Sequence, residues 1–338
     1  MDLTSMQEHD KTSAGAAAQE LSYAQAAALA VQREMDGDAR VVVVGEDVGR
    51  GGIFGQYAGL QARFGGERVI DTPISEAAIM GAGVGMALAG LRPVVEMRVV
   101  DFALCGMDEL VNQAAKNRYM FGGQGRVPMV ARMPGGIWDA SAAQHSQSLE
   151  AWFAHLPGVV VVCPGTPQDN YGLLRASMQC DDPVVYIEHK ALWGLRGTVD
   201  EAQTVRLGQA RRVRAGDALT MVSWSRQLQS CEQACDILAA EGLAVDLIDL
   251  RTLWPWDRET VLASCARTTR LLVVHEAVQA GGFGAEIAAT AAEATGCRVA
   301  RLGAPRIPVG YAPVLEAQSR VDAAGIVQAA RRLASGRG

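Results

Sequence analysis

Glu76 is the carboxylate in this chain whose setting solubility alone does not explain. It stands in DTPISEAAIMGAGVGMALAGLRP, Asp71 to Pro93, at the head of a run that is otherwise apolar and rich in glycine and alanine. A carboxyl in the first turn of such a helix can lie at the surface and favour the helix dipole. The alternative is a place away from water, where the charged form is disfavoured unless a cationic or proton-sharing group meets it. The second reading is favoured here. Thr72 and Ser75 stand where each can accept from a free amide at the helix start, and Pro73 suits the first turn. Gly81, Gly85 and Ala89 fall four apart on one face. Each mid-helix glycine costs about 1 kcal/mol against alanine, a loss that close packing against another element must recover.

Histidine is the next group to weigh, and there are 5. His145 sits in QHSQ, where Gln144, Ser146 and Gln147 could hold its ring in one tautomer, as proton transfer requires. A plain surface-loop histidine is an equally matched reading. His155 and His189 flank strands and read as packing or hydrogen-bonding residues. His275, beside Glu276 and before GGFG, reads as either a catalytic or an interface residue, and His9 falls in the polar leader. No HExxH, DxDxDG or GxSxG pattern occurs, and the 7 cysteines are scattered. They read as reduced, mostly buried thiols of a cytosolic protein.

The elements that must position these groups alternate. An amphipathic helix over 21–35 precedes the β-branched run ARVVVVGED, which predicts a buried parallel strand over 40–45 with Glu46 and Asp47 at its carboxyl tip. In open α/β sheets ligands sit at such tips. Short strands at 67–70, 92–97, 127–133, 158–164 and 182–188 then alternate with helices, and a second set runs from 218 to 334. This predicts an α/β protein of two doubly wound units with mostly parallel sheets. Residues 1–20 are expected to be a disordered leader, 21–195 the first domain, 196–216 a linker and 217–338 the second domain. A net charge of −6 without a basic cluster argues against nucleic acid. The longest apolar run, about 15 residues, is too short to span a membrane, so a soluble, cytoplasmic chain is expected.

Several stretches in order carry a resemblance: GEDVG (45–49), RVIDTPISE (68–76), GLRPVVEM (90–97), DF (101–102), NQAAKNRYMFGG (112–123), QHSQ (144–147), DDPVVYIEHK (181–190), LRTLWPWD (250–257) and HEAVQAGGFGAEI (275–287). Together they resemble the β subunit of thiamine-diphosphate-dependent 2-oxoacid dehydrogenases, the first component of the pyruvate, branched-chain and acetoin dehydrogenase complexes. The resemblance implies a transketolase-like pyrimidine-binding domain followed by a transketolase C-terminal-like domain. It implies that Glu76 hydrogen-bonds a ring nitrogen of the cofactor's aminopyrimidine, that Phe102 packs on that ring, and that Ile74 and Glu46 line its pocket. His145 matches a loop histidine that serves proton transfer when the acyl group passes to lipoamide.

By the same resemblance Arg98 falls at a cofactor-lining position where many bacterial relatives carry glutamine and others apolar residues, and Val99 on the substrate side, where an aromatic is common. A backbone-carbonyl potassium site of some relatives maps near Met129, Ser177, Cys180 and Asp182. The magnesium-binding GDG motif of thiamine enzymes is missing from the sequence. The diphosphate and its Mg2+ are therefore expected on an α subunit, in an α2β2 heterotetramer that serves a lipoyl-bearing acyltransferase. The Gly81/Gly85/Ala89 face is a candidate subunit contact. A non-catalytic scaffold of the same fold is the alternative function, and the intact Glu76, Phe102 and His145 speak against it.

Overall fold

The computed structural model describes residues 18–336. The expected leader therefore lies outside the described residues as far as residue 17. The strands of the first half are β1 (Gln19–Ser22), β2 (Val41–Gly45), β3 (Val69–Asp71), β4 (Arg92–Glu96), β5 (Val130–Arg132), β6 (Val160–Val162), β7 (Val184–Tyr186) and β8 (Arg196–Val199). The second half adds β9 (Arg211–Arg214), β10 (Leu219–Ser223), β11 (Val245–Asp249), β12 (Thr252–Trp254), β13 (Arg270–Val278) and β14 (Arg298–Ala304). A seven-stranded sheet runs β12-β6-β7-β5-β4-β2-β3 and a five-stranded one β14-β13-β10-β11-β9. Within each, the strands are parallel except β12 and β9, which lie antiparallel at the edge. The expected α/β architecture with two parallel sheets is what forms.

β-branched runs make the central strands. All five residues of β2 are buried, as expected of a strand covered on both faces. Helix Tyr23–Gly37 begins at a capping box in which Ser22 accepts from the Gln25 amide and Gln25 accepts from the Ser22 amide. It packs against helix Pro167–Gln179 under the first sheet.

Three expectations need correcting. The stretch read as a linker contains β8 and β9, and β8 pairs with β1, so Gln19 and Glu20 are ordered strand residues. The segment around Pro255, which the sequence suggests is a loop, contains a strand, β12, which leaves its own half and pairs with β6 of the other sheet. One hydrophobic core then runs through both halves, joining Val95 and Met129 to Val222, Ile248 and Val273. The third concerns the helix that follows Ser75, Glu76–Leu88. Neither Ser75 nor Thr72 caps it: Ser75 makes no side-chain cap bond, and the Thr72 hydroxyl is buried without a partner. Of its glycines, Gly83 is the packing one, since a Cβ there would lie 2.4 Å from a methyl of Val95, whereas Gly85 faces open space.

Candidate active site

Parallel strands deliver their carboxyl ends to one edge, and there this chain gathers its reactive side chains. Glu46 and Asp47 follow β2. Thr72, Pro73 and Ile74 follow β3 and lead into Glu76 at the head of its helix. Arg98 and Phe102 follow β4, His145 lies in the long loop after β5, and Lys190 comes after β7. Gly45 makes the first approach possible, because a Cβ there would sit 2.7 Å from the Glu96 carbonyl on the neighbouring strand. All six residues expected at a site, Glu46, Ile74, Glu76, Arg98, Phe102 and His145, line one pocket of about 650 Å³. Phe54, Val99, Trp138, Ser141 and Lys190 are among the other residues that line it.

Glu76 is half-buried, not the fully buried carboxyl the sequence suggested, and Ile74 beside it is 77% exposed. The carboxyl that the pocket pushes up is Glu46. Burial raises it first and the neighbouring Glu76 second, against the Arg98 guanidinium. Arg98 donates to Asp47 at 2.6 Å, so its charge is matched within the wall. The Phe102 and His145 rings meet edge to face, 5.2 Å between centroids.

His145 itself is placed by its backbone. Its carbonyl accepts from the Lys190 ammonium, and its amide donates to the Ala142 carbonyl at 3.4 Å. The flanking residues do not hold its ring as expected: Gln147 donates instead to Asp101 at 2.7 Å, and the Ser146 hydroxyl is buried without a partner.

The loop carrying His145 is strained. Asp139, Ala140 and Ala142 have φ of 45°, 54° and 59°, each costing on the order of 1–3 kcal/mol for a non-glycine residue. Two carboxylates of the second half clamp it. Glu276 accepts from the Ile137 amide and the Ser148 hydroxyl, each at 2.9 Å. Glu316 accepts from the Ala140 amide at 2.7 Å. His189 donates from Nε2 to Glu276 at 2.9 Å, because its Nδ1 accepts from the Ala191 amide and so carries no proton. Burial works to raise Glu276, but the interaction with His189 and these donors outweigh it and hold the carboxyl at about 2. Gly136 is required here, with φ of 84° and room for no Cβ beneath the His189 ring.

A buried ionic layer supports the floor. Arg132, wholly buried, donates to Glu188 at 2.5 and 2.9 Å and lies over the Tyr57 ring. Tyr57 donates to Glu96 at 2.6 Å, and burial, opposed by Arg132, pushes Glu96 up to about 7. Two carboxylates thus share one guanidinium.

Of the four residues mapped to a potassium site, three have carbonyls that accept from protein donors. Met129 accepts from the Val184 amide at 2.9 Å, Ser177 from the Cys180 amide at 3.2 Å and Cys180 from Arg92 at 3.1 Å. Among the described residues no group of three or more His, Cys, Asp or Glu side chains is arranged to hold a metal, and no helix is long and apolar enough to cross a membrane. Phe54, Trp138, Lys190 and the Glu276 and Glu316 clamps escaped the sequence reading. Lys190 lies in the EHK triplet, where nothing local shows that its ammonium turns inward.

Comparison with known proteins places the chain in a family. Residues 19–194 fit the model of the transketolase pyrimidine-binding domain and residues 208–326 that of the transketolase C-terminal domain. The chain is 39% identical to the β subunit of an acetoin:2,6-dichlorophenolindophenol oxidoreductase from Cupriavidus necator, over 94% of this chain and 99% of that one. It is 38% identical to the 2-oxoisovalerate dehydrogenase β subunit of Bacillus subtilis, over 93% and 98%. It is also 38% identical to a mitochondrial pyruvate dehydrogenase E1 β subunit of Oryza sativa subsp. japonica, over 94% and 87%. A split-gene transketolase solved as an inactive β4 tetramer shares the fold with a TM-score of 0.81 at 19% identity, over 94% of this chain and all of that one. The chain belongs to the transketolase-like family of dehydrogenase β subunits that includes those of the pyruvate, 2-oxoisovalerate and acetoin enzymes.

Proposed function

We propose that this chain is the β subunit of a thiamine-diphosphate-dependent dehydrogenase that decarboxylates a 2-oxo acid or cleaves acetoin and passes the acyl group to the lipoyl arm of an acyltransferase. The observation that carries the reading is the convergence of Glu46, Ile74, Glu76, Arg98, Phe102 and His145 on one pocket at the carboxyl edge of the first sheet. The donor set fits the aminopyrimidine half of the cofactor. It offers a pair of adjacent carboxyls of which one, Glu46, is raised, an aromatic ring in Phe102, and an exposed apolar side chain in Ile74. A carboxyl held toward its neutral form can share a proton with a weakly basic ring nitrogen.

When bound, the cofactor supplies the electron sink for the bond that breaks next to the carbonyl. This chain's residues do the rest. Glu76 hydrogen-bonds the ring nitrogen with the raised Glu46 beside it, Phe102 fixes the ring plane, and His145 moves a proton at the acyl side. The diphosphate and its Mg2+ fall to an α partner, since this sequence lacks the GDG motif. The exposed Gly85 and Ala89 on the helix behind Glu76 support a subunit contact in an α2β2 assembly. The free thiols suit a cytoplasmic setting.

The test is Glu76→Gln in the co-expressed pair. Turnover should fall by about 10²–10⁴-fold, while the size of the assembly stays that of wild type. Near-normal turnover overturns the assignment.

A further inference from the structure

Lys190 is only 3% exposed, yet it forms part of the pocket wall. A buried ammonium ordinarily lies against a carboxylate. Here, among the described residues, no carboxylate reaches ion-pair distance of its Nζ. Of the two acids that act on it at longer range, Asp101 accepts from Gln147 through one oxygen and has the other buried without a partner, and Glu276 is taken by His189, Ile137 and Ser148. One ammonium hydrogen goes to the His145 carbonyl, which leaves two N–H groups without acceptors among the described residues.

The other cation of the pocket is spent differently, because Arg98 is matched by Asp47 at 2.6 Å. The pocket is therefore polarised. Glu46, Asp47 and Glu76 stand at the tips of β2 and β3, and Lys190, which has no ion pair among the described residues, stands beyond β7. Strands β7, β5, β4 and β2 are successive neighbours. That places the tips of β2 and β7 three strand spacings, about 14 Å, apart. An anion at Lys190 would lie on the His145 side of the pocket.

We infer that Lys190 is the specificity-determining cation of this pocket: its two remaining N–H groups take the carboxylate of the substrate, so the enzyme favours an anionic 2-oxo acid over the neutral acyloin acetoin. The inference rests on the function proposed above and chooses between the two substrate classes left open there. Lys190 also positions His145 through its carbonyl, a contact both substrates depend on. Only the carboxylate contact distinguishes them.

The experiment compares wild type, Lys190→Met and Lys190→Arg in the complex with the α partner. Turnover of pyruvate, 3-methyl-2-oxobutanoate and acetoin is followed with an artificial electron acceptor. Binding of oxamate, a pyruvate isostere, is measured by calorimetry without turnover. Wild type should prefer a 2-oxo acid. In Lys190→Met the ratio of kcat/KM for the 2-oxo acid to that for acetoin should fall about 10- to 100-fold, as expected for losing a charge-assisted bond. The fall should come through KM, with oxamate binding weakened in parallel. Lys190→Arg should keep most of the preference.

Equal losses for both substrates, or oxamate binding untouched by Lys190→Met, would reduce the lysine to an anchor of the His145 loop and overturn the assignment. A wild-type preference for acetoin would overturn it too. Turnover of none of these substrates by the wild-type complex would instead bring down the underlying function, and the assignment with it.

Discussion

The carboxyl edge of the first sheet leaves Glu46, Asp47, Glu76 and Arg98 around an open pocket, whereas the carboxyl edge of the second turns Trp224, His275 and Glu276 inward. His275 stacks on Trp224 with ring centroids 5.4 Å apart and donates from Nδ1 to the Ala277 carbonyl at 3.0 Å. Burial holds it down at about 4, so it is a neutral packing residue at pH 7. Gly282, Gly284 and Gly303 crowd its ring at distances that leave no room for a Cβ. Two parallel sheets with the same polarity thus divide the work. One edge is left open for a ligand, and the other is packed shut by its neighbours and holds the first in place through Glu276 and Glu316.

Breaking the clamp tests this division most severely. Glu276→Ala leaves the His189 Nε2–H, the Ile137 amide and the Ser148 hydroxyl without their acceptor. At about 1–3 kcal/mol for each buried donor, the loss should be on the order of 4 kcal/mol in chemical denaturation, with turnover reduced because the strained loop carries His145. The pH dependence has a definite sign. Glu276 is depressed from 4.5 to about 2, so its contribution of roughly 3 kcal/mol is present above pH 4.5. It is lost as pH falls from 4.5 through 2. A wild-type acid unfolding curve identical to that of Glu276→Gln would show that the clamp carries no such energy.

His145→Ala sharpens the comparison from the other side. It removes a side chain of the open edge and leaves the clamp whole. Acyl transfer to lipoamide should drop by about 10²-fold, in the range of a lost proton-transfer group, with artificial-acceptor reduction much less affected. Equal losses would make His145 a structural part of the loop.

Between the two edges lies Glu150, buried, accepting from the Trp224 indole N–H at 3.2 Å and pushed up to about 7 chiefly by burial. A carboxyl raised on folding stabilises the fold below its unfolded value near 4.5. That stability drains away as pH rises through 7. Glu150→Gln should therefore unfold at higher denaturant than wild type at pH 8, by about 2–3 kcal/mol, and match it near pH 4.5. No pH dependence in the difference would place the ionisation elsewhere.

How much of this could be read from residues alone varied with range. Val41–Gly45 and Leu219–Ser223 declare themselves as unbroken β-branched or apolar runs, and the capping box at Ser22 is a local pattern. β12 does not, because Thr252–Trp254 is three residues long, abuts a proline, and finds its partner about 90 positions away in β6. β1 and β8 are half-exposed and polar, so they carry no core periodicity. The six site residues were placed by the family resemblance, and the fold brings all six together. The burial expected for Glu76 failed because the pocket of this chain is open on that side. The clamps joining residues 276 and 316 to the His145 loop are set by tertiary structure alone, and so is the burial of Lys190.

The smallest effects separate packing inward from waiting for a partner along one helix. Gly83 and Gly85 stand two positions apart in Glu76–Leu88 and carry the same intrinsic penalty of about 1 kcal/mol against alanine. A methyl at Gly83 would overlap Val95 at 2.4 Å, and the helix sits on β4 with no slack. Gly83→Ala should therefore cost about 1–3 kcal/mol through overpacking, despite its better propensity. Gly85 meets nothing, so Gly85→Ala should stabilise the isolated chain by about 0.5–1 kcal/mol in denaturant titration. The same substitution should weaken association with the α partner if that exposed face is the contact, because the added methyl keeps the incoming backbone from approaching closely. Unchanged association alongside the gain in stability would move the subunit contact off this helix, and the glycine would then be ordinary surface.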